Sequence, residues 1–260
     1  MLAEGTFDGQ VAVVTGGGSG MGRAMALEFS RLGAAVVVAG RRAEPLAETA
    51  AMIEGAGGTA LAEPTDVRDP EQVDSLMNAA VDTFGRIDCL VNNAAGNFVV
   101  KAEDLSPNGW RAVTSIVLDG SFLCSRSAGR RMIESGEGGA IVSVIASYAW
   151  TGGPGTAHSA AAKAGVVSLT RTLAVEWAQH GIRVNAVSPG PVDTAETRER
   201  LWPTEEIRER ILRRIPLARF GTETDVANAC AYLVSDYASF VTGDVLSVDG
   251  GAWLEQGMFR

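Results

Sequence analysis

An α/β architecture, one doubly wound parallel sheet with helices on both faces, is what this sequence predicts. Three observations predict it. Seven short β-rich runs recur along the chain, most of them apolar throughout rather than alternating, as strands buried on both faces are. Helical patterns lie between them, the clearest being Val73, Leu76, Met77, Ala80, Val81 and Phe84 behind Pro70. Alternation of strand and helix builds a parallel sheet whose ligands sit at the carboxyl ends of the strands. The third observation is a glycine-rich turn that leads from the first run into the first helix.

In chain order the strands are expected at 11–15 (VAVVT), 34–40, 59–67, 87–94, 140–145, 182–190 and 245–251. Long helical patterns occupy 107–133 and 157–180. Gly and Pro fall singly between these segments, without a linker, a repeat or a low-complexity tract, so residues 1–260 read as one domain. A charged stretch at 198–214 carries Leu201, Ile207, Ile211 and Leu212 on one face. It reads as a mobile segment covering the substrate, with a plain surface helix as the alternative.

The 260 residues are ample for a sizeable core, with 46% hydrophobic and 20% charged residues. No apolar run is long enough to cross a bilayer and no leader pattern opens the chain, so the expectation is a soluble, untargeted, cytoplasmic protein without a membrane partner. Cys89, Cys124 and Cys230 are odd in number, widely spaced and set in apolar segments. They read as buried thiols rather than disulfides or metal ligands. A net charge of −9 argues against nucleic acid, because phosphate backbones are bound by basic surface. It leaves room for a local arginine cluster around an anion.

The turn VVTGGGSGMGRAMA has the setting a phosphate site needs. Gly16, Gly20 and Gly22 let the backbone approach a pyrophosphate, and the helix start supplies free N–H groups. The spacing is T-G-x3-G-x-G rather than G-x-G-x-x-G, and a purely structural turn is the alternative. The second strand ends VAGRRAE, with Gly40 where an acidic residue would hold the 2′-hydroxyl of NAD. Arg41 follows, which favours a 2′-phosphate and hence NADPH; a solvated arginine at a helix start is the competing reading.

Taken together, T-G-x3-G-x-G at 15–22, N-N-A-A-G at 92–96, Lys163 on a helix, P-G-P-V-D-T at 189–194 and D-G-G at 249–251 make the chain resemble the short-chain dehydrogenase/reductase family over nearly its whole length. The resemblance implies that Thr15, Gly16, Gly18, Ser19, Gly20, Met21 and Gly22 hold the pyrophosphate and that Asp66 and Val67 meet adenine. It further implies that Asn93, Ala94, Ala95 and Gly96 line the cofactor, with Pro189, Gly190, Pro191, Val192 and Thr194 at the nicotinamide end. Three of the four usual catalysts are missing: Ser159 stands at the tyrosine position, Ala146 at the serine and Val117 at the asparagine. Lys163 remains. An ordinary ketone reductase would lack its acid.

The same departures are found in one branch of that family, the 2,4-dienoyl-CoA reductases, and the chain is similar to it at NNAAGNF (92–98), LSPNGW (105–110) and PGP (189–191). The resemblance implies that the tyrosine has moved to Tyr148, fifteen residues before the lysine. Asn97 and Tyr148 would then bind the thioester oxygen, while Ser159 and Lys163 organise the cofactor ribose and nearby water. Arg68, Phe98, Ser106 and Arg200 would meet the acyl-CoA, and a homodimer or homotetramer would be the assembly. Five of these have a plainer alternative. Tyr148 suits a strand edge, Asn97 a self-satisfied loop, Ser159 a helix N-cap, and Arg68 and Arg200 a solvated surface. His158 reads as packing or surface rather than a general base. Competing functions are a trans-2-enoyl-CoA reductase and a non-catalytic NADP(H) sensor or scaffold.

Overall fold

A computed structural model describes residues 2–254 except 201 and 203, and the side chains of Glu196 and Arg200 fall outside that description. Seven strands form one parallel sheet: β1 (Val11–Thr15), β2 (Ala35–Gly40), β3 (Thr59–Pro64), β4 (Cys89–Asn92), β5 (Gly139–Val144), β6 (Ile182–Pro189) and β7 (Val245–Val248). Their spatial order is β3-β2-β1-β4-β5-β6-β7. The order reverses between β1 and β4, and the crevice above such a reversal is where open α/β sheets take ligands. Each expected strand is present. The residues beyond the ends of the third and fourth, 65–67 and 93–94, lie in ligand-side loops instead.

The helices are α1 (Gly20–Arg31), α2 (Ala43–Gly55), α3 (Pro70–Phe84), α4 (Pro107–Thr114), α5 (Gly120–Ser135), α6 (Tyr148–Thr151), α7 (Ala157–Trp177), α8 (Ala195–Arg200), α9 (Glu205–Leu212) and α10 (Glu223–Val234). Successive strand residues explain the unbroken apolar runs. Val14, Val38, Val91 and Val142 pack toward Met25, Phe29, Val226 and Cys230 on one side of the sheet. Val13, Leu90 and Ile141 pack toward Val73, Leu76, Met77 and Met132 on the other. All three cysteines are free and buried, and burial pushes the Cys124 and Cys230 thiols up to about 12. No helix among the described residues is long and apolar enough to cross a membrane.

Local chemistry sets the helix ends that matter here. Asp69 caps α3 by accepting from the backbone N–H of Glu71, with Pro70 in the first turn and Gly85 left-handed at the exit. Between α4 and α5 lies one π-helical turn, Ser115–Asp119. The Ser121 hydroxyl donates to the Val117 carbonyl there at 2.6 Å. Of the charged stretch at 198–214, α8 and α9 are described and residues 201 and 203 lie outside the description. Both are tied to Asp193, which accepts from Arg198 at 2.7 Å and from Arg208 at 3.0 Å. These two arginines hold the Asp193 carboxyl well below the usual carboxylate range.

Candidate functional site

At the carboxyl end of β1 the chain turns sharply into α1, and sterics explain its glycines. Gly16 has φ +67°, and a Cβ there would lie 2.7 Å from Asn93 Nδ2. A Cβ on Gly22 would run into the Gly16 carbonyl. Gly18 passes close to Pro45, and Gly20 is again left-handed at φ +53°. Ser19 is the N-cap of α1 but makes no side-chain cap bond. Its hydroxyl and the first-turn N–H groups, Met21 included, are therefore available to an anion. Arg23, whose part the sequence reading missed, pins this turn from below. Its guanidinium donates to the Gly18 carbonyl at 2.7 Å, to Glu48 at 2.8 Å and to Thr49 at 3.0 Å.

Thr15 and Asn93 staple the first and fourth strand ends together. The Thr15 hydroxyl accepts from the N–H groups of Asn93 and Ala94 at 3.0 and 3.1 Å, and the Asn93 amide donates to the Thr15 carbonyl at 3.0 Å. Ala95 and Gly96 follow in the loop after β4, the first exposed and the second half-buried. At the ends of β2 and β3, Arg41 is exposed and forms no ion pair among the described residues. Val67 is buried over Gly120. Asp66 is bound by the Arg68 guanidinium at 2.9 Å, which holds its carboxyl below the ordinary range. Arg68, expected toward the acyl-CoA, is thus engaged on the cofactor side by an expected adenine contact.

At the end of β6 the chain runs on from Pro189 through Thr194 beside Asp249 and Gly221. Gly190 packs so tightly on Asp249 that a Cβ would lie 2.5 Å from the Asp249 Cβ. Asp249 in turn accepts from the N–H groups of Gly251 and Trp253, which gives the D-G-G motif a physical role. Pro191 accepts from the Gly221 N–H at 2.9 Å, while Val192 and Thr194 are buried. These residues fit a dinucleotide: a cradle that Cβ atoms would fill, helix N–H groups without a side-chain cap, and at the end of β2 an exposed arginine with no ion pair among the described residues.

The second part of the site follows β5. Tyr148 opens the one-turn helix α6, and its hydroxyl lies 3.1 Å from Ser159 Oγ. The N-cap of α7 is Thr156, so the reading of Ser159 as a cap is corrected: it sits within the first turn, 1% exposed. Lys163, one turn further on, is 7% exposed and donates to the Val144 carbonyl. Burial pulls its ammonium down to about 8. Val117 is buried among apolar neighbours and Ala146 is half-buried, so neither offers a polar group.

The loop carrying Asn97 and Phe98 is stitched to the loop before α7 by a bond from the Val100 N–H to the Gly155 carbonyl at 3.0 Å. Asn97 is exposed. Phe98 and Ser106 flank Gly109, where a Cβ would lie 3.2 Å from Phe98 Cζ and 3.4 Å from Ser106 Oγ. The Ser106 hydroxyl also caps α4 by accepting from the Gly109 N–H at 3.1 Å. Arg200 closes α8, and its side chain lies outside the described residues. His158 is fully buried, which sequence reasoning did not resolve, and its ring stands edge-on to Phe98 with centroids 4.5 Å apart.

Fold and site together define a dinucleotide-dependent oxidoreductase. A family model described as Enoyl-(Acyl carrier protein) reductase matches residues 16–252. A probable 2,4-dienoyl-CoA reductase of Bacillus subtilis, named as (2E)-enoyl-CoA-producing, is 47% identical over 94% of this chain and 97% of its own length. A Caenorhabditis elegans protein named probable 2,4-dienoyl-CoA reductase 3, (3E)-enoyl-CoA-producing, is 42% identical over 96% of this chain and 82% of its own. Among solved structures, a putative NAD(P)-dependent gluconate 5-dehydrogenase from Beutenbergia cavernae with bound NADP superposes with TM-score 0.89 at 42% identity, covering 95% of this chain and 97% of that one. The chain belongs to the short-chain dehydrogenase/reductase family.

Proposed function

We propose that the protein reduces 2,4-dienoyl-CoA with NADPH. The observation that carries this reading is the 3.1 Å contact between the Tyr148 hydroxyl and Ser159 Oγ. It brings a phenol from the loop after β5 to the helix position that lacks one in the sequence. Two relatives that span nearly the whole chain and are named for this reaction support it.

Bound NADPH supplies a hydride. The chain's task is to receive the negative charge that moves onto the thioester oxygen once hydride reaches the δ carbon of the substrate. Tyr148 and Asn97 donate hydrogen bonds to that oxygen, the role of an oxyanion hole. Buried Lys163 adds positive potential and holds the ribose, and Ser159 orients the phenol. Water then protonates the α carbon, leaving 3-enoyl-CoA; protonation at the γ carbon would leave the 2-enoyl product named for the Bacillus relative. Phe98, Ser106, Arg68 and Arg200 complete the acyl-CoA contacts. The preference for NADPH rests on Gly40 and the unpaired Arg41. Exposed apolar side chains on α5 and α7, Phe122 at 46% and Val175 at 80% exposure, favour assembly as a homodimer or homotetramer. A cytoplasmic location is part of the same reading.

The deciding experiment compares 2,4-hexadienoyl-CoA with 2-hexenoyl-CoA under NADPH and NADH, with chromatographic identification of the product. Turnover of the dienoyl thioester to the 3-enoyl product is expected. Turnover of the monoenoyl substrate alone would replace this reading with an enoyl reductase. Arg41→Ala should weaken NADPH by roughly 10–100-fold and leave NADH little changed, since a charge-assisted hydrogen bond contributes about 1.5–3 kcal/mol. Equal loss for both cofactors would remove Arg41 from the phosphate site.

A further inference from the structure

The short helix that carries Tyr148 has little of its own to hold it in place. α6 is four residues long, none of them buried, and Ser147 gives it no side-chain cap. One full helical bond runs through it, from the Gly152 N–H to the Tyr148 carbonyl at 3.0 Å, beside two tighter ones from Ala149 to Ala146 and from Trp150 to Ser147. A single turn is not stable by its own hydrogen bonds, so packing has to fix where it sits. Ala149 rests against the cluster built on Val113, Val117 and Ile145. Trp150 meets Trp253, with ring centroids 5.5 Å apart and planes inclined by 31°.

Trp253 stands on a well-braced turn. Gly250 and Gly251 are left-handed at φ +62° and +85°, and a Cβ on them would lie 2.8 Å from Ile215 and 3.1 Å from Pro216. The Asp249 carboxylate accepts from the Gly251 N–H at 2.9 Å and from the Trp253 N–H at 2.8 Å. Asp249 also fills the space that a Cβ on Gly190 would need. The turn is thus wedged between the loop after β6 and residues 215–216. The indoles of Trp150 and Trp253 remain 40% and 38% exposed, so their contact is not a by-product of core packing.

We infer that Trp253 is a positioning residue: its ring holds Trp150, and through the one turn of α6 it sets the place of the Tyr148 hydroxyl beside Ser159. This assignment rests on the reaction proposed above. Residues two apart on a helix do not face each other, so Trp253 braces α6 on a different side from the one Tyr148 uses. The effect reaches chemistry because a hydrogen-bond donor serves a transition state only from a preset place.

Trp253→Ala takes away the ring and keeps the backbone N–H that Asp249 binds, so NADPH affinity should persist. With 2,4-hexadienoyl-CoA its kcat should fall roughly 3–10-fold, the range an aromatic pair is worth, with KM little changed. Trp253→Phe, which keeps a ring for Trp150, should recover most of that loss. In a Tyr148→Phe background Trp253→Ala should cost nothing further, because the group it positions is gone. A loss in that background as large as in the parent overturns the assignment. So does a rise in KM at unchanged kcat, which would make the ring an acyl-chain contact instead.

A spectroscopic readout needs neither turnover nor a folded alanine variant. Two indoles this close couple their transitions into a paired far-UV circular-dichroism band, which the parent should show and both Trp150→Phe and Trp253→Phe should lose. A spectrum that either substitution leaves unchanged sinks the contact and the assignment with it. A parent protein that turns over no dienoyl-CoA takes down the reaction and this role together. Normal dienoyl turnover with any contrary result above takes down this role alone.

Discussion

Two ligand-side turns of one sheet, the one after β1 and the one after β5, solve their tasks by opposite means. In the function proposed above, the backbone after β1 would do the recognising: side chains are excluded at Gly16 and Gly22 because a Cβ would strike Asn93 or a carbonyl oxygen. After β5 the backbone would only deliver, and recognition would fall to the phenol of Tyr148, in contact with the Ser159 hydroxyl, and to the ammonium of Lys163. A backbone site is destroyed by adding atoms and indifferent to most chemistry around it. A side-chain site is destroyed by removing single polar atoms and tolerant of shape. Mutations can break this contrast or sharpen it.

The largest effect is expected after β5. Tyr148→Phe removes one oxygen and adds nothing, so the fold and cofactor binding should persist. If the hydroxyl holds the enolate oxygen, kcat should fall by roughly 10²–10³, as when a single oxyanion donor is deleted. The further change Ser159→Tyr should not restore dienoyl turnover, because the new phenol would crowd the buried position Ser159 occupies at 1% exposure. Steady-state kinetics on both variants with NADPH titration checks this. Full activity of Tyr148→Phe would end the claim that catalysis after β5 rests on that hydroxyl.

The matching test after β1 adds one carbon. In Gly22→Ala the new Cβ meets backbone, which cannot swing aside as a flexible side chain would. Overpacking of this kind costs about 1–3 kcal/mol, and the strain falls on the shape of the phosphate turn. NADPH affinity should drop by roughly 10–100-fold by that arithmetic, while kcat at saturating cofactor changes little. Fluorescence titration and saturation kinetics separate the two quantities. A kcat loss with unchanged affinity would contradict the division of labour between the turns.

The same contrast explains what the sequence made legible. A steric demand on backbone appears directly as residue identity, so the glycines of 16–22 were readable before any coordinates. Burial on both faces likewise appears as apolar runs, and all seven strands were found that way. The Tyr148–Ser159 contact is different, since it joins residues eleven apart through α6 and a glycine-rich loop whose course no local pattern specifies. Resemblance pointed to Tyr148, and no spacing did. The pairing of Arg68 with Asp66 was not legible either, because a loop lets a guanidinium fold back on a neighbour two residues away. Buried His158 and the Asp193 hub escaped for the same reason. Their partners are fixed by tertiary packing, which periodicity does not encode.

Lys163 supplies the finest test of the side-chain site, because one titration has opposite consequences for activity and stability. Burial brings its ammonium down to about 8, whereas the unfolded chain keeps the ordinary lysine value of roughly 10.4. Below pH 8 both states are protonated and Lys163 adds no slope to stability. Above it the folded state has released a proton that the unfolded state retains, so the Lys163 contribution to stability rises with pH until the unfolded lysine also titrates. Activity moves the other way. If the cation is needed beside the thioester and ribose, kcat/KM should be level below pH 8 and fall about tenfold per pH unit above it. Lys163→Arg, whose charge does not titrate in this range, should lower the plateau and remove the fall. Paired measurements of kcat/KM and Tm from pH 7 to 10 check both halves. A fall in activity that Lys163→Arg leaves in place would mean that another group titrates, and the cationic role of Lys163 would be lost.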